Sequence, residues 1–219
     1  MTKSKPTTTG ALSILEAATE LFARDGYECV SVASIADQAG VCKANIFHHY
    51  ASKEVLYLEV MRKASAEHAE LAEALLKEDC SHVEKLRRLT EYDIKTMIDN
   101  ELRTRLILRE LGESCENSVR RIAHQVFRRN FQLVVELFEQ GQRSGEFRTD
   151  FDPAAAAVAW CGSKNAFFLC RETMQDLDLF QGKDAARGFA EKVCKLLIEG
   201  ILPADGTPKN AVHAAVQAA

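Results

Sequence analysis

Apolar residues recur at intervals of three and four along most of the chain. Leu12, Leu15, Ala18, Leu21 and Phe22 lay down one such stripe, the mark of a helix with one buried face. Between residues 117 and 144 the pattern returns in Val119, Ile122, Val126, Leu133 and Leu137, with Phe127, Val134 and Phe138 beside it. Residues that interrupt helices are few: 219 residues hold 11 glycines and 4 prolines. This pattern predicts an all-α fold.

Punctuation then divides the chain into about nine helices. The first runs from about residue 11 to Asp25, stopped by Gly26. Ser31 is a candidate N-cap for a short second helix carrying Val32, Ile35, Ala36 and Ala39, and Gly40 ends it. A third short helix spans Cys42 to His49, and Ser52 opens a fourth with acidic Glu54 in its first turn. Longer helices are expected near 53–78, 82–99, 101–112, 117–144, 153–174 and 184–201, with boundaries at Gly112, Gly141-Gly145 and Asp152-Pro153. Residues 1–9 read as a flexible arm and residues 203–219 as a tail beyond the folded body.

Composition narrows the setting. Hydrophobic residues make up 47% and charged residues 27% of the chain, which suits a folded globular protein. No apolar run approaches the ~20 residues of a membrane-spanning helix, and the polar opening MTKSKPTTTG has no secretory apolar core. A cytoplasmic protein without membrane association is expected. The seven cysteines (Cys29, Cys42, Cys80, Cys115, Cys161, Cys170, Cys194) form no C-x-x-C pair and no standard zinc spacing, so they read as reduced packing residues. Neither a metal nor a cofactor is expected.

Residues 31–50, SVASIADQAGVCKANIFHHY, carry the function. Two short helices meet at Ala39-Gly40-Val41. Ala36 is small enough for the helices to cross closely, and Gly40 permits a tight reversal with positive φ. Ile35, Val41 and Ile46 supply apolar pegs. The second helix then presents its polar N-terminal face outward, the arrangement of a helix-turn-helix that enters the major groove.

From Ile14 to Val60 the chain resembles the DNA-binding domain of the TetR family of bacterial regulators. The matching residues are Ile14, Ala17, Ala18, Leu21, Phe22, Gly26-Tyr27, Ser31-Val32, Ile35-Ala36, Ala39-Gly40-Val41, Lys43, His48-His49-Tyr50, Ser52-Lys53-Glu54 and Leu56. The resemblance implies a helix-turn-helix domain at 10–52 and a larger helical ligand-binding and dimerisation domain at 53–202. It implies double-stranded DNA with a palindromic operator as partner, a small-molecule effector, and a homodimer.

On that footing Lys43, Ala44 and Asn45 face the groove floor. Asn bonds adenine N6 and N7 together, Lys reaches guanine or a phosphate, and Ala44 meets a thymine methyl. Phe47 and His48 lie along the edge near phosphates. Lys53 clamps a phosphate at the start of the fourth helix, and Ser31 and Val32 touch the other strand. Lys3 and Lys5 of the arm add charge contacts.

Three departures from the family pattern stand out. Cys42 takes a place usually held by Ser or Thr, a poorer cap by about 1 kcal/mol. Phe47 replaces a tyrosine and loses its hydroxyl. The segment 1–58 lacks a basic excess, and the whole chain carries a formal charge of −4, so a modest salt slope is expected. Cys42 has two readings, an inert replacement for serine or a redox-sensitive thiol at a helix N-terminus.

In relatives the last two long helices pair with their copies as a four-helix bundle. Residues 153–170 fit, with small residues Ala154, Ala155, Ala157, Ala159, Gly162, Ser163 and Ala166, and Phe189, Val193 and Leu196 give the final helix an apolar stripe. Leu108, Phe127, Phe131, Trp160, Asn165 and Phe168 are the candidate ligand-pocket residues. Arg103/Arg105, Arg120/Arg121 and Arg128/Arg129 read as steering charges or plain solvated surface.

No Walker loop, G-x-G-x-x-G, G-x-S-x-G, H-E-x-x-H or paired Glu-x-x-His motif occurs, so an enzyme is not expected. A sequence-specific transcriptional regulator is, with a ligand-released repressor preferred on the resemblance alone. The alternatives are an activator of the same fold and a helical protein-binding adaptor.

Overall fold

The structure, a computed structural model, describes residues 9–112, 118–177 and 185–202. The arm with Lys3 and Lys5, the tail 203–219, Cys115, and the side chains of Val119, Arg120, Arg121, Ile122 and Phe189 lie outside the described residues.

Among the described residues the fold is all helix: α1 (Thr9–Asp25), α2 (Val32–Ala39), α3 (Lys43–His49), α4 (Lys53–Lys77), α5 (His82–Asp99), α6 (Glu101–Gly112), α7 (Ser118–Arg143), α8 (Pro153–Cys170) and α9 (Ala185–Ile201). The chain forms two compact units. The first holds residues 1–67 and 100–127, the second 68–99 and 128–219. The first thus adds to α1–α3 the opening of α4, all of α6 and the start of α7. None of the described helices is long and apolar enough to cross a membrane.

The first unit packs around Ile14, Ala18, Phe22, Ile35, Ile46, Leu56 and Met61, all fully buried. Leu12 corrects the expected α1 stripe: it is exposed, and Ala11, Ile14 and Ala17 fill the buried face instead. The real stripe starts one residue earlier, so Leu12 falls on the solvent side of the turn. Phe22 meets the Tyr57 ring edge-on at 5.0 Å, and Tyr27 lies 4.7 Å from the same ring.

The second unit packs around Leu75, Leu86, Leu89, Leu137, Phe138, Phe147 and Trp160. Gly141 is required there, because a Cβ would stand 2.2 Å from the Phe147 ring. Ser81 caps α5 by accepting from the Glu84 N–H at 3.2 Å, and the Glu146 carboxylate adds to it by accepting from the backbone N–H of His82 (2.7 Å) and of Val83 (3.0 Å). Asp152 caps α8 through Ala155 N–H at 2.9 Å, with Pro153 at the first helical position.

α8 ends at Cys170, four residues short of the expected 174. The Arg171 guanidinium turns back to donate to the Phe168 carbonyl (3.1 Å) and lies 3.9 Å from the Phe168 ring. It satisfies a terminal carbonyl at the end of the helix. The following residues through Asp176 are turn.

Candidate nucleic-acid interface

Local chemistry sets the helix-turn-helix. Ser31 caps α2, and its Oγ accepts from the Ser34 N–H at 3.0 Å while the Ser34 Oγ accepts from the Ser31 N–H at 3.1 Å. This reciprocal box uses Ser where Glu or Gln is usual, which is why the sequence pattern missed it. Gly40 sits at φ 66°, ψ 31° and the Val41 N–H reaches back to the Ala36 carbonyl at 3.0 Å, the left-handed stop expected of glycine. Ile35 and Ile46 are fully buried and Val41 is half-buried against the same core.

α3 is held on its inner side at its middle and just past its C-terminal end. Ile46 anchors its middle, and the Tyr50 hydroxyl just past its end donates to the Ala11 carbonyl of α1 at 3.2 Å. The Gln38 amide donates to Glu20 at 2.7 Å, tying α2 to α1 as well. With the inner side fixed, Cys42, Lys43, Ala44, Phe47 and His48 stand exposed on the outer one. Phe47 is 52% exposed. Burying such a ring against a partner is favourable, and leaving it in water is not.

Asn45 is placed differently from its neighbours. It is half-buried, and its Nδ2 lies 3.9 Å from where a Cβ on Gly10 would stand, with the His49 Nε2 at 3.6 Å from the same point. Both side chains therefore lean on the start of α1. Cys42 occupies the N-cap of α3 without a side-chain cap bond.

The charges are few. Arg24 is bound to its neighbour Asp25 at 2.9 Å. The Lys53 ammonium lies 4.2 Å over the Tyr27 ring, a cation–π contact that holds the start of α4 against the end of α1. Glu54 beside it is drawn below the usual carboxylate range, first by the Ser52 hydroxyl. Lys43 is exposed with no ion-pair partner among the described residues. Ser31 is exposed and Val32 half-buried at the start of α2. Such a surface offers an apolar ring, a small methyl, an imidazole and one outward ammonium to a groove, with little long-range field.

The candidate ligand residues are divided between the two units. Leu108 is half-buried in the first, and Phe127 packs on its core. In the second, Phe131 packs on the core, Trp160 and Phe168 are buried, and Asn165 is half-buried. Of these, Trp160 lines a cavity in the second unit. On the same wall is Lys164, which sequence reasoning passed over. Its signal was present: Lys164 is the lone charged residue in the segment from Pro153 to Cys170.

Comparison with known proteins agrees with this geometry. Residues 14–60 match the family model described as bacterial regulatory proteins of the tetR family, and residues 79–168 match the tetracyclin repressor-like C-terminal domain. The fatty acid metabolism regulator protein of Bacillus subtilis is 23% identical over 190 residues, covering 87% of this chain and 94% of that protein. The fold is similar to the crystal structure of FadR from Bacillus subtilis in complex with stearoyl-CoA, with a TM-score of 0.70 at 21% identity, covering 87% of this chain and 98% of that one. It is also similar to AibR in complex with isovaleryl coenzyme A and operator DNA, with a TM-score of 0.67 at 22% identity, covering 85% and 97%. With both halves of the architecture matched by models of one family, the chain belongs to the TetR family of bacterial regulatory proteins, helix-turn-helix regulators of transcription.

Proposed function

We propose that this protein is a cytoplasmic homodimeric repressor that reads a palindromic operator with α3 and leaves it when a small-molecule effector binds the second unit. The observation that carries the DNA reading is the division of α3. Ile46 is fully buried, while Lys43, Ala44, Phe47 and His48 are exposed on the opposite side. Lys43, Ala44, Phe47 and His48 form the base-facing set, with Ser31, Val32 and Cys42 beside the backbone. Asn45 and Lys53 support them from half-buried positions.

Dimerisation is supported by α8. Ala155, Val158, Ala159, Gly162, Ala166 and Leu169 are exposed along one face of the helix, and Val158 and Leu169 are 61% and 65% exposed. An exposed apolar face of this kind seeks cover. Leu196 on α9, 71% exposed, adds to the same need. A second copy covers such surfaces by an isologous contact. It also supplies the second reading helix, which one half-site lacks.

The effector reading draws on relatives whose solved structures hold stearoyl-CoA and isovaleryl coenzyme A. An effector acts only by binding the DNA-incompetent state more tightly than the competent one.

The experiment is fluorescence anisotropy of the wild-type protein on the DNA upstream of its own gene, across a salt series. Saturable binding of a dimer, weakened by Lys43→Ala and Phe47→Ala, supports the reading. Absence of binding there and in a genome-wide selection rejects it.

A further inference from the structure

The residues of α8 give little guide to its rotation about its own axis. Apart from Ser163, Lys164 and Asn165, residues 154–170 are alanine, glycine, cysteine or larger apolar residues. At about 100° per residue, Ala157, Trp160, Lys164, Phe167 and Phe168 share one side, and all five are buried. Ala155, Val158, Ala159, Gly162, Ala166 and Leu169 share the opposite side, and all six are exposed. Either side gains by leaving water. The rings of Trp160, Phe167 and Phe168 favour the inner side within one subunit. In a dimer the outer side is covered as well, and rings bury well at such an interface. Apolar burial therefore separates the two rotations only weakly.

Lys164 separates them sharply. It is the one charged residue of α8 and stands at the centre of the inner side. Its ammonium pairs with the Asp93 carboxylate of α5, whose other oxygen is engaged by His68 Nδ1 of α4 at 2.7 Å. Asp93 is ionised: burial pushes its carboxyl up, but the Lys164 ammonium and His68 outweigh this and hold it at about 2. Among the described residues, Lys164 is the one residue of α8 with a side-chain hydrogen bond to another helix. The Ser163 hydroxyl donates to the Trp160 carbonyl of α8 itself at 2.8 Å.

With α8 turned by half a revolution, Lys164 would stand in the face offered to a second copy, and Asp93 would stay buried with its ammonium partner gone. Breaking a buried pair leaves two uncompensated charges, a larger penalty than exchanging one apolar surface for another.

We propose that the Lys164–Asp93 pair sets the rotation of α8 about its axis and so decides which face of α8 is presented to the second copy. Lys164 and Asp93 are positioning residues for the dimer, although neither lies on the exposed face. The assignment rests on the dimer reading above, and its test separates the two.

The test replaces both charges by apolar residues, Asp93→Val with Lys164→Met, in the full-length protein. Such a replacement leaves a fold about as stable or more so, so the urea midpoint should not fall. The chain contains a single tryptophan, and Trp160 lies on the buried side of α8. Acrylamide quenching therefore reports how α8 is turned, and because it measures access, loss of the nearby charge alone does not move it. The double variant should show quenching raised several-fold over the wild type. Sedimentation velocity should show a weaker dimer. If about one copy in three keeps the native rotation, dimer affinity falls about tenfold, because both copies must hold it.

Trp160 as shielded in the double variant as in the wild type overturns the proposal, because packing of the rings then sets the rotation alone. Trp160 exposed in a dimer of unchanged affinity also overturns it, since the rotation would then not govern pairing. A wild-type protein that sediments as a monomer, with Trp160 exposed only in the double variant, removes the dimer reading and leaves the pair as what sets the rotation. Should the double variant fail to unfold cooperatively, Lys164→Met alone is read in the same two assays, and a shielded Trp160 there overturns the proposal equally.

Discussion

Arg109 on α6 donates from its guanidinium to the carbonyl of Arg24 at the end of α1, at 3.0 Å across 85 positions of sequence. A second donation reaches the Ala23 carbonyl at 3.4 Å. A side chain far along the chain thus caps the first helix of the DNA-reading unit, where terminal carbonyls lack helical partners. Arg109→Met should lower the unfolding free energy by about 1–2 kcal/mol. Arg109→Lys should restore only part, since an ammonium cannot reproduce the guanidinium fork. Gly26→Ala should be at least as costly, because Gly26 holds φ 81° and its Cβ would stand 3.1 Å from that guanidinium. Urea titration followed by circular dichroism measures all three.

The two caps of the helix-turn-helix should respond in opposite directions. Ser31→Ala removes the reciprocal box with Ser34 and should cost about 1 kcal/mol. Cys42 makes no side-chain cap bond, so Cys42→Ser should raise stability by up to about 1 kcal/mol. Melting temperatures of the two variants check this, and a lower value for Cys42→Ser would count against the cap assignment.

DNA binding should separate the residues of α3 by their exposure. Lys43→Ala should weaken binding and reduce the salt slope by about one phosphate contact if it meets the backbone, or relax specificity at one base if it meets a guanine. Phe47→Ala should cost about 1–3 kcal/mol on the cognate site and much less on unrelated DNA. Asn45→Ala should lower the melting temperature as well as the affinity, because its amide leans on the start of α1. Anisotropy on cognate and scrambled duplexes, alongside thermal melts, resolves the three.

Acid should unfold the second unit through two buried carboxylates. Burial pushes Glu146 up, but the His82 ring and the N–H groups of His82 and Val83 outweigh it and hold it below 4.5. Asp93 falls from 3.8 to about 2. Groups with depressed folded values stabilise the fold above their unfolded values and lose that contribution as pH falls through the folded ones. Stability should therefore be level from neutral pH down to about 5, then fall steadily toward about 2, with Asp93 contributing about 2 kcal/mol of the loss. Glu146→Gln and Asp93→Asn should each be less stable at neutral pH and show a shallower acid slope. Urea midpoints across the pH range give the curve, and an unchanged slope in both variants would dismiss the account.

A charge on the outer face of α8 or α9 should split the dimer. Val158→Glu and Leu196→Glu alter residues that are 61% and 71% exposed, so neither should disturb the fold of one subunit. Sedimentation velocity should show a monomer for each, and DNA affinity should fall steeply as the second half-site is lost. A dimer persisting in both variants would remove α8 and α9 from the interface.

Near-neighbour chemistry was legible in the amino-acid order alone. The helical period, the Ser31, Ser52 and Asp152 caps, and the stops at Gly26 and Gly40 each depend on residues within one or two turns. The pegs Ile35 and Ile46 followed from the same local pattern. Other features depended on chain segments far apart in sequence. Asn45 looked like a free reading residue until α1 was laid beside it, and Lys53 looked like a free phosphate clamp until Tyr27 came under its ammonium. The partners Arg109 with Arg24, Tyr57 with Glu110, and Lys164 with Asp93 are separated by 85, 53 and 71 positions. Whether a polar side chain is spent or available depends on what packing brings within hydrogen-bond reach. A helical period reports which face is buried, but not what it is buried against.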